Sequence, residues 1–336
     1  MHRSPSPTTT CALSVPEPAG SEFSAGVSTL GRPVVAVLTY QRVPELATLL
    51  PVLVGQSRVA DPPCDIMVVD NDPEAGAAQA VSQVAGVQYV HEPRPGIAAA
   101  RNRALSEAAG RSSLVFLDDD EEPVSGWLQA LLDVHRRTGA AGVVGPVVSQ
   151  FSKEPGSWIG AGEVFARRRL LTGTEVDVAA TNNLLLDLVQ VQRLGLQFDE
   201  RFGLSGGSDT LFTRQLTRAG GRLVWCDEAL VVDNVPPDRA TRQWVLRRSL
   251  RSGNTWARTS LLLADRGSGV TLVPARLLVA GSLRMLGGAA RTAIGFAVRS
   301  PRSRARGERA AMRGLGMVLG TLGVVRVEYR RQSATS

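Results

Sequence analysis

The stretch Val34-Val35-Ala36-Val37-Leu38-Thr39-Tyr40-Gln41-Arg42 runs an apolar, β-branched segment straight into a polar cluster, and the pattern then returns along the chain. Ile66 to Val69 leads into Asp70-Asn71-Asp72, and Leu114 to Leu117 into Asp118-Asp119-Asp120, with a further apolar run at Val87 to Val90. Short continuous apolar runs of this kind suit strands buried on both faces. The stretches between them, around 44–56, 74–84 and 97–109, carry helical patterning, so βαβ units and a parallel sheet are predicted from Val34 to about Val148. In open α/β sheets ligands bind beyond the carboxyl ends of the strands. The three polar clusters are therefore expected to meet in one crevice although they are far apart in the chain.

Composition sets the frame for this core. A chain of 336 residues with 43% apolar content can bury one large α/β domain with an appendage. Cys11, Cys64 and Cys226 have no metal-type or paired spacing, which points to a reducing compartment rather than a disulfide framework. Residues 1–31 are rich in Ser, Pro, Thr and Gly without a signal-length apolar run, and they read as a flexible tail. The net charge of +7 is unevenly spread: residues 1–238 hold 19 basic and 28 acidic side chains, and 239–336 hold 19 and 3. Such a split implies an anionic partner for the basic part, either nucleic acid or a lipid surface.

Beyond the first half, Ser125 reads as the cap of a helix from Trp127 to Arg137, and Val143 to Val148 as a strand. The glycine-rich segment 149–180 carries no clear periodicity. Asn183 to Leu186 and Leu223 to Cys226 suit strands. A helix begun by Ser208 and closed at Gly220-Gly221 is expected between them, and another from Thr241 to Ala264. The longest uncharged apolar candidate, Gly314 to Val325, is shorter than the roughly 18 residues a spanning helix needs.

Several residues carry candidate chemistry, each beside a plainer reading. Carboxylates at Asp118, Asp119 and Asp120 suit a hard divalent cation, Mg²⁺ or Mn²⁺, bridging the phosphates of a nucleotide diphosphate, or else a solvated acidic turn. Asp70 can accept a hydrogen bond from the ring N–H of a pyrimidine or form a turn with Asn71 and Asp72. Gly96 and the small residues after it let a helix start approach a phosphate or ribose, with Arg101 supplying charge; a surface helix with solvated arginines is the alternative. Asp209, after Gly206-Gly207-Ser208, can stabilise a helix start through its dipole or act as a general base. No Gly-x-Gly-x-x-Gly follows the first strand, which argues against an NAD-type site.

In order and spacing these segments, together with Thr181 to Leu186 and Phe198 to Phe202, resemble the family 2 glycosyltransferases of the GT-A fold, from about Val34 to Ala257. The resemblance implies a Rossmann-like mixed sheet flanked by helices over 32–265, followed by a basic helical C-terminal region over 266–336. It implies an inverting, metal-dependent transfer of a sugar from a nucleotide diphosphate donor of the UDP type. The acceptor would be lipid-linked or a polysaccharide, in cell-envelope or exopolysaccharide synthesis. Asp118 and Asp120 would form the D-x-D metal motif, and Asp209 would deprotonate the acceptor. Thr39, Tyr40, Arg42, Asp70, Gly96, Arg101, Asp119 and Asn183 would bind the nucleotide sugar. Two departures stand out. Ser208 replaces the glutamate many members place before the catalytic aspartate. Gln243 to Arg248 does not match the Q-x-x-R-W motif of processive members, although Arg247, Arg248 or Arg251 remain candidates for the diphosphate. A histidine often found after the last strand has no counterpart in Asp233 to Pro237, where Asp233 is either an oxygen ligand or part of a turn.

Arg276, Arg284, Arg291 and Arg299 recur about every two helical turns among leucines, as in a helix lying at a lipid interface or one packed on the catalytic domain. Few aromatics accompany them, so nucleic acid is not the expected partner. The expectation is a cytoplasmic enzyme, peripheral on an anionic membrane face. The competing reading is a noncatalytic membrane- or nucleic-acid-binding protein on the same fold.

Overall fold

The computed structural model describes residues 31–264 and 272–325. Its elements run β1 (Val34–Thr39), α1 (Val43–Val59), β2 (Asp65–Asp70), α2 (Ala78–Ser82), β3 (Val87–His91), α3 (Ile97–Glu107), β4 (Ser113–Asp118), β5 (Glu121–Pro123), α4 (Trp127–Thr138), β6 (Gly142–Val144) and β7 (Val147–Phe151). They continue with α5 (Ser157–Gly162), β8 (Glu175–Val176), β9 (Asn183–Asp187), α6 (Leu188–Arg193), a short 3-10 turn (Glu200–Phe202), α7 (Ser208–Arg218), β10 (Leu223–Trp225) and β11 (Val231–Val235). Three long helices follow: α8 (Arg242–Ala264), α9 (Val273–Ala297) and α10 (Pro301–Thr321).

The main sheet has the order β3-β2-β1-β4-β9-β6-β10-β8, with β1, β2, β3 and β4 parallel and β9 antiparallel to both of its neighbours. Every residue of β1 is buried. Val35 and Val37 face Leu46, Leu50 and Leu53 of α1 and Trp127 and Leu131 of α4, whereas Ala36 and Leu38 face the alanines of α3 and Phe212 of α7. Helices on both faces are the reason the strands read as continuous apolar runs. The predicted GT-A type α/β architecture is thus the observed one.

Local differences have identifiable causes. The strand expected over 143–148 is two strands in two sheets, because Gly145-Pro146 interrupts it: β6 stays in the main sheet, and β7 joins β11 and β5 in a small second sheet. Proline has no N–H to continue a ladder, and a Cβ at Gly145 would run into the Ala229 carbonyl oxygen. The helix expected over 74–84 shrinks to α2, since the Asp70 side chain takes the Asp72 and Ala77 amides at 2.9 Å and holds the preceding residues in a loop. Left-handed Gly126, not Ser125, caps α4, whereas α7 begins at Ser208 as expected, after a left-handed Gly207. Asp233 lies inside β11 rather than in a turn. The segment 149–180 contributes the end of β7, α5 and β8.

The described residues from Gly31 onward form one compact unit, so the basic C-terminal helices are built onto the α/β fold. α10 lies between α8 and α9. A Cβ at Gly316 would strike the Leu250 carbonyl oxygen of α8, and one at Gly314 would sit 2.5 Å from the Gly281 carbonyl oxygen of α9. Arg242 reaches Glu308 at 2.6 Å, and Arg302 reaches Glu163, just past α5, at 3.0 Å. Among the described residues no helix is long and apolar enough to cross a membrane. The expected tail over 1–31 lies, apart from Gly31, outside the described residues.

Candidate active site

Parallel pairing brings the strand ends into line: Thr39 sits opposite Asp70, and Leu38 opposite Asp118. The chain leaving these strands encloses a cleft of about 660 Å³. Thr39, Tyr40, Arg42, Gly96, Arg101, Asp118, Asp119, Asp120, Asp209 and Arg248 all line it, joining segments separated by more than two hundred positions in the sequence.

Its floor is acidic. The Thr39 hydroxyl donates to Asp119 Oδ2 at 2.8 Å, and Arg42 Nη1 lies 2.9 Å from Asp119 Oδ1 and 2.7 Å from Asp120 Oδ2. Arg239 approaches the same Asp120 oxygen at 3.3 Å. Burial pushes the Asp118 carboxyl up to about 7, reinforced by the charges of Asp120 and Asp119 against the pull of Arg101 and Arg42. Glu121 is raised well above its ordinary range, first by burial and then by Asp118, although Asn182 donates to it at 2.6 Å. Its second oxygen and the Thr181 hydroxyl are buried with no hydrogen-bond partner among the described residues. The floor therefore crowds carboxyls in a dry setting where Asp118 and Glu121 hold their protons more tightly than in water.

Other residues lining the cleft are basic. Arg167 pairs with Asp233 at 3.2 Å, and Arg248 stacks on Trp244 at 5.0 Å. Burial, with Arg167 and Arg251 close by, lowers the Arg248 guanidinium to about 10. Asp209 stands in the first turn of α7. Its Oδ1 accepts the Thr210 amide at 2.7 Å, while Oδ2 makes no hydrogen bond among the described residues. Arg101 is tied to the same helix start by a 2.7 Å bond to Ser208 Oγ. Gly207 is required here: its φ is +103°, and a Cβ would collide with Thr255 of α8, so only a bare backbone lets α8 close on the site.

Three expected site residues do not line the cleft. Asp70 is wholly buried, with the Asp72 and Ala77 amides and the Tyr89 hydroxyl on its carboxylate, so it shapes the loop after β2. Asn183 is also buried. It accepts from Trp127 Nε1 at 2.9 Å and donates to the Ala229 and Pro146 carbonyls at 2.7 and 3.0 Å, which joins both sheets. Arg247 lies on the exposed side of α8. In their place stand Thr181, Asn182, Arg167, Arg239, Trp244 and Arg251. Of these only Arg251 was legible as a diphosphate candidate; Asn182 lay inside a recognised motif, and Arg239 carried no local signal.

Known proteins resemble this chain in sequence and fold. The model of the family described as "Glycosyl transferase family 2" matches residues 34–187. The succinoglycan biosynthesis protein ExoM of Rhizobium meliloti (strain 1021) is 33% identical over 311 residues, covering 90% of this chain and 97% of that protein.

The chain belongs to glycosyltransferase family 2.

It is accordingly a sugar-transferring enzyme that works from a nucleotide diphosphate sugar to a glycan or lipid acceptor, which displaces the noncatalytic alternative. Solved structures share the fold. A mannosyltransferase of Pyrobaculum calidifontis in complex with GDP-Man and Mn²⁺ aligns over 84% of this chain and 87% of its own, with a TM-score of 0.54 at 19% identity. GalNAc-T7 with UDP, GalNAc and Mn²⁺ aligns over 68% and 50%, with a TM-score of 0.51 at 13% identity. Mn²⁺ is present in both of those complexes. In this glycosyltransferase no group of three or more His, Cys, Asp or Glu side chains stands ready around a metal position among the described residues. Asp119 and Asp120 are turned to arginines instead.

Proposed function

We propose that this family 2 enzyme binds a nucleotide diphosphate sugar, of the UDP type, in the cleft and transfers the sugar with inversion to a lipid-linked or polysaccharide acceptor, in exopolysaccharide or cell-envelope synthesis. The convergence of the acidic floor, the arginines and Asp209 on one cleft carries this reading. The polysaccharide role of the 33% identical relative supports the class of product.

Asp209 takes the acceptor hydroxyl proton on Oδ2 as that oxygen attacks the anomeric carbon and the bond to the diphosphate breaks. Arg248 and Arg251, both lining the cleft, would stabilise the negative charge that develops on the departing diphosphate. Asp70 supports the donor indirectly, by fixing the loop that carries Asn71. Gly96, with φ +111° and its N–H donated to Asn71 Oδ1 at 3.2 Å, keeps that wall thin.

The floor also suits a hard cation, since its donors are all oxygens and a cation would return Asp118 to its ionised form. Asp118 and Asp120 would hold Mg²⁺ or Mn²⁺, which when bound neutralises the leaving diphosphate.

The basic helices are read as a membrane contact. On α9 the glycine stripe Gly281, Gly288 and Gly295 faces α10, while Val279, Leu283, Leu286 and Ile294 stand exposed on the opposite face with Arg276 and Arg291 beside them. That pattern fits an interfacial helix on anionic lipid, at the inner face of the cell membrane.

Thermal shift against a panel of nucleotide sugars with Mn²⁺ tests the donor reading. One donor should raise the melting temperature, less so when Mn²⁺ is chelated. A panel in which no donor shifts the transition overturns it.

A further inference from the structure

A second cavity, of about 380 Å³, adjoins the donor cleft and shares Asp209 with it. Its charge is lopsided: Arg101, Arg248, Arg251 and Arg313 line it against the single carboxylate of Asp209. Arg313 comes from α10 and Trp256 from α8, and neither lines the donor cleft.

Arg313 makes no ion pair or hydrogen bond among the described residues. Burial lowers its pKa, and so do the positive charges of Arg284 and Arg309. A half-buried guanidinium among like charges costs stability unless a counter-ion is supplied, and its planar fork matches the oxygens of a phosphate or carboxylate. Trp256, held on one side by Arg214 at 4.3 Å, adds an aromatic wall of the kind that covers apolar faces of a sugar or isoprenoid.

We propose that this cavity is the acceptor site and that the acceptor carries an anionic group, held by Arg313 from α10, which sets its hydroxyl before Asp209. The inference rests on the reading of Asp209 as base and of the larger cleft as the donor site. It adds the chemical class of the acceptor. Two acceptors share that chemistry: one on a lipid diphosphate, and one whose glycan bears an acidic sugar.

Calorimetry on the full chain separates these. With the donor cleft saturated by UDP or GDP and Mn²⁺, whichever nucleotide binds, the protein is titrated with farnesyl diphosphate, with methyl glucuronoside and with neutral methyl glucoside. One anionic probe should bind and the neutral one should not. Farnesyl diphosphate binding assigns the anion to a lipid carrier, and glucuronoside binding to an acidic glycan. Arg313→Gln should weaken the bound probe about tenfold or more, on the order expected for a charge-assisted contact. Arg313→Lys should recover part of that loss, and nucleotide affinity should stay unchanged in both. The proposal is overturned if neither anionic probe binds the nucleotide-loaded protein, if both variants bind as wild type, or if Arg313→Gln weakens the nucleotide to the same degree. Failure of every nucleotide to bind wild type would instead strike the donor assignment on which it rests.

Discussion

Asp209 combines a helix-start position, a bare glycine before it and an unengaged Oδ2, and it borders both cavities. Asp209→Asn keeps the size and the Thr210 contact but cannot take a proton. Transfer should fall by roughly a hundredfold to ten-thousandfold while donor affinity is retained, measured as turnover against donor binding. Near wild-type turnover would return Asp209 to the role of a helix-dipole partner. Asn183 illustrates the opposite case. Its motif was legible and its direction was not, because a strand alternates its side chains between faces and the sequence does not say which neighbour turns inward. Asn183→Ala leaves Trp127 Nε1 and the Ala229 carbonyl buried without their partner. A stability loss of about 2–4 kcal/mol is expected, with the donor KM of the folded protein unchanged, read by denaturant unfolding beside kinetics. An intact melting transition with a raised donor KM would put Asn183 back in the binding site.

At the scale of elements, the parallel core was legible since β1 to β4 and their helices are separated by short, punctuated connections whose patterning is local. The small second sheet was not, because β5, β7 and β11 pair across about a hundred residues and each is short. Nor was the packing of the C-terminal helices, where the arginine repeat draws attention and the glycines decide the contact. A Cβ at Gly314 would lie 2.5 Å from both the Gly281 carbonyl oxygen and the Met285 amide nitrogen, whereas at Gly287 it would meet nothing within 4 Å. Gly314→Val should therefore cost about 1–3 kcal/mol by overpacking the α9–α10 contact. Gly287→Ala should leave the melting temperature unchanged or raise it, as helix propensity favours alanine by about 1 kcal/mol. Equal melting temperatures for wild type and Gly314→Val would refute the close-packed hairpin.

For the whole molecule, charge and apolar surface are unevenly divided. The acidic part of the chain supplies most of the cleft lining, and the arginine-rich end supplies further cleft residues and an outer helix with an apolar face. Leu283 and Leu286 are 66% and 62% exposed on that face, so they contribute little to the fold and would be the residues to meet lipid in the proposed membrane contact. Burying one leucine side chain is worth about 1.5–3 kcal/mol. Replacing both by aspartate also sets negative charge against an anionic surface, so even partial insertion predicts at least about a tenfold weaker partition for Leu283→Asp/Leu286→Asp. The intact protein should sediment with vesicles containing anionic phospholipid and less so with neutral ones. Raising the salt from about 0.1 M to 1 M should release part of it, because the Debye length falls from roughly 10 to 3 Å and the arginine attraction is screened while the apolar contribution persists. The double variant should keep the melting temperature of wild type, both positions being on the surface. Should it sediment as well as wild type, or should wild type stay in the supernatant with anionic vesicles, the apolar face of α9 is not a lipid contact.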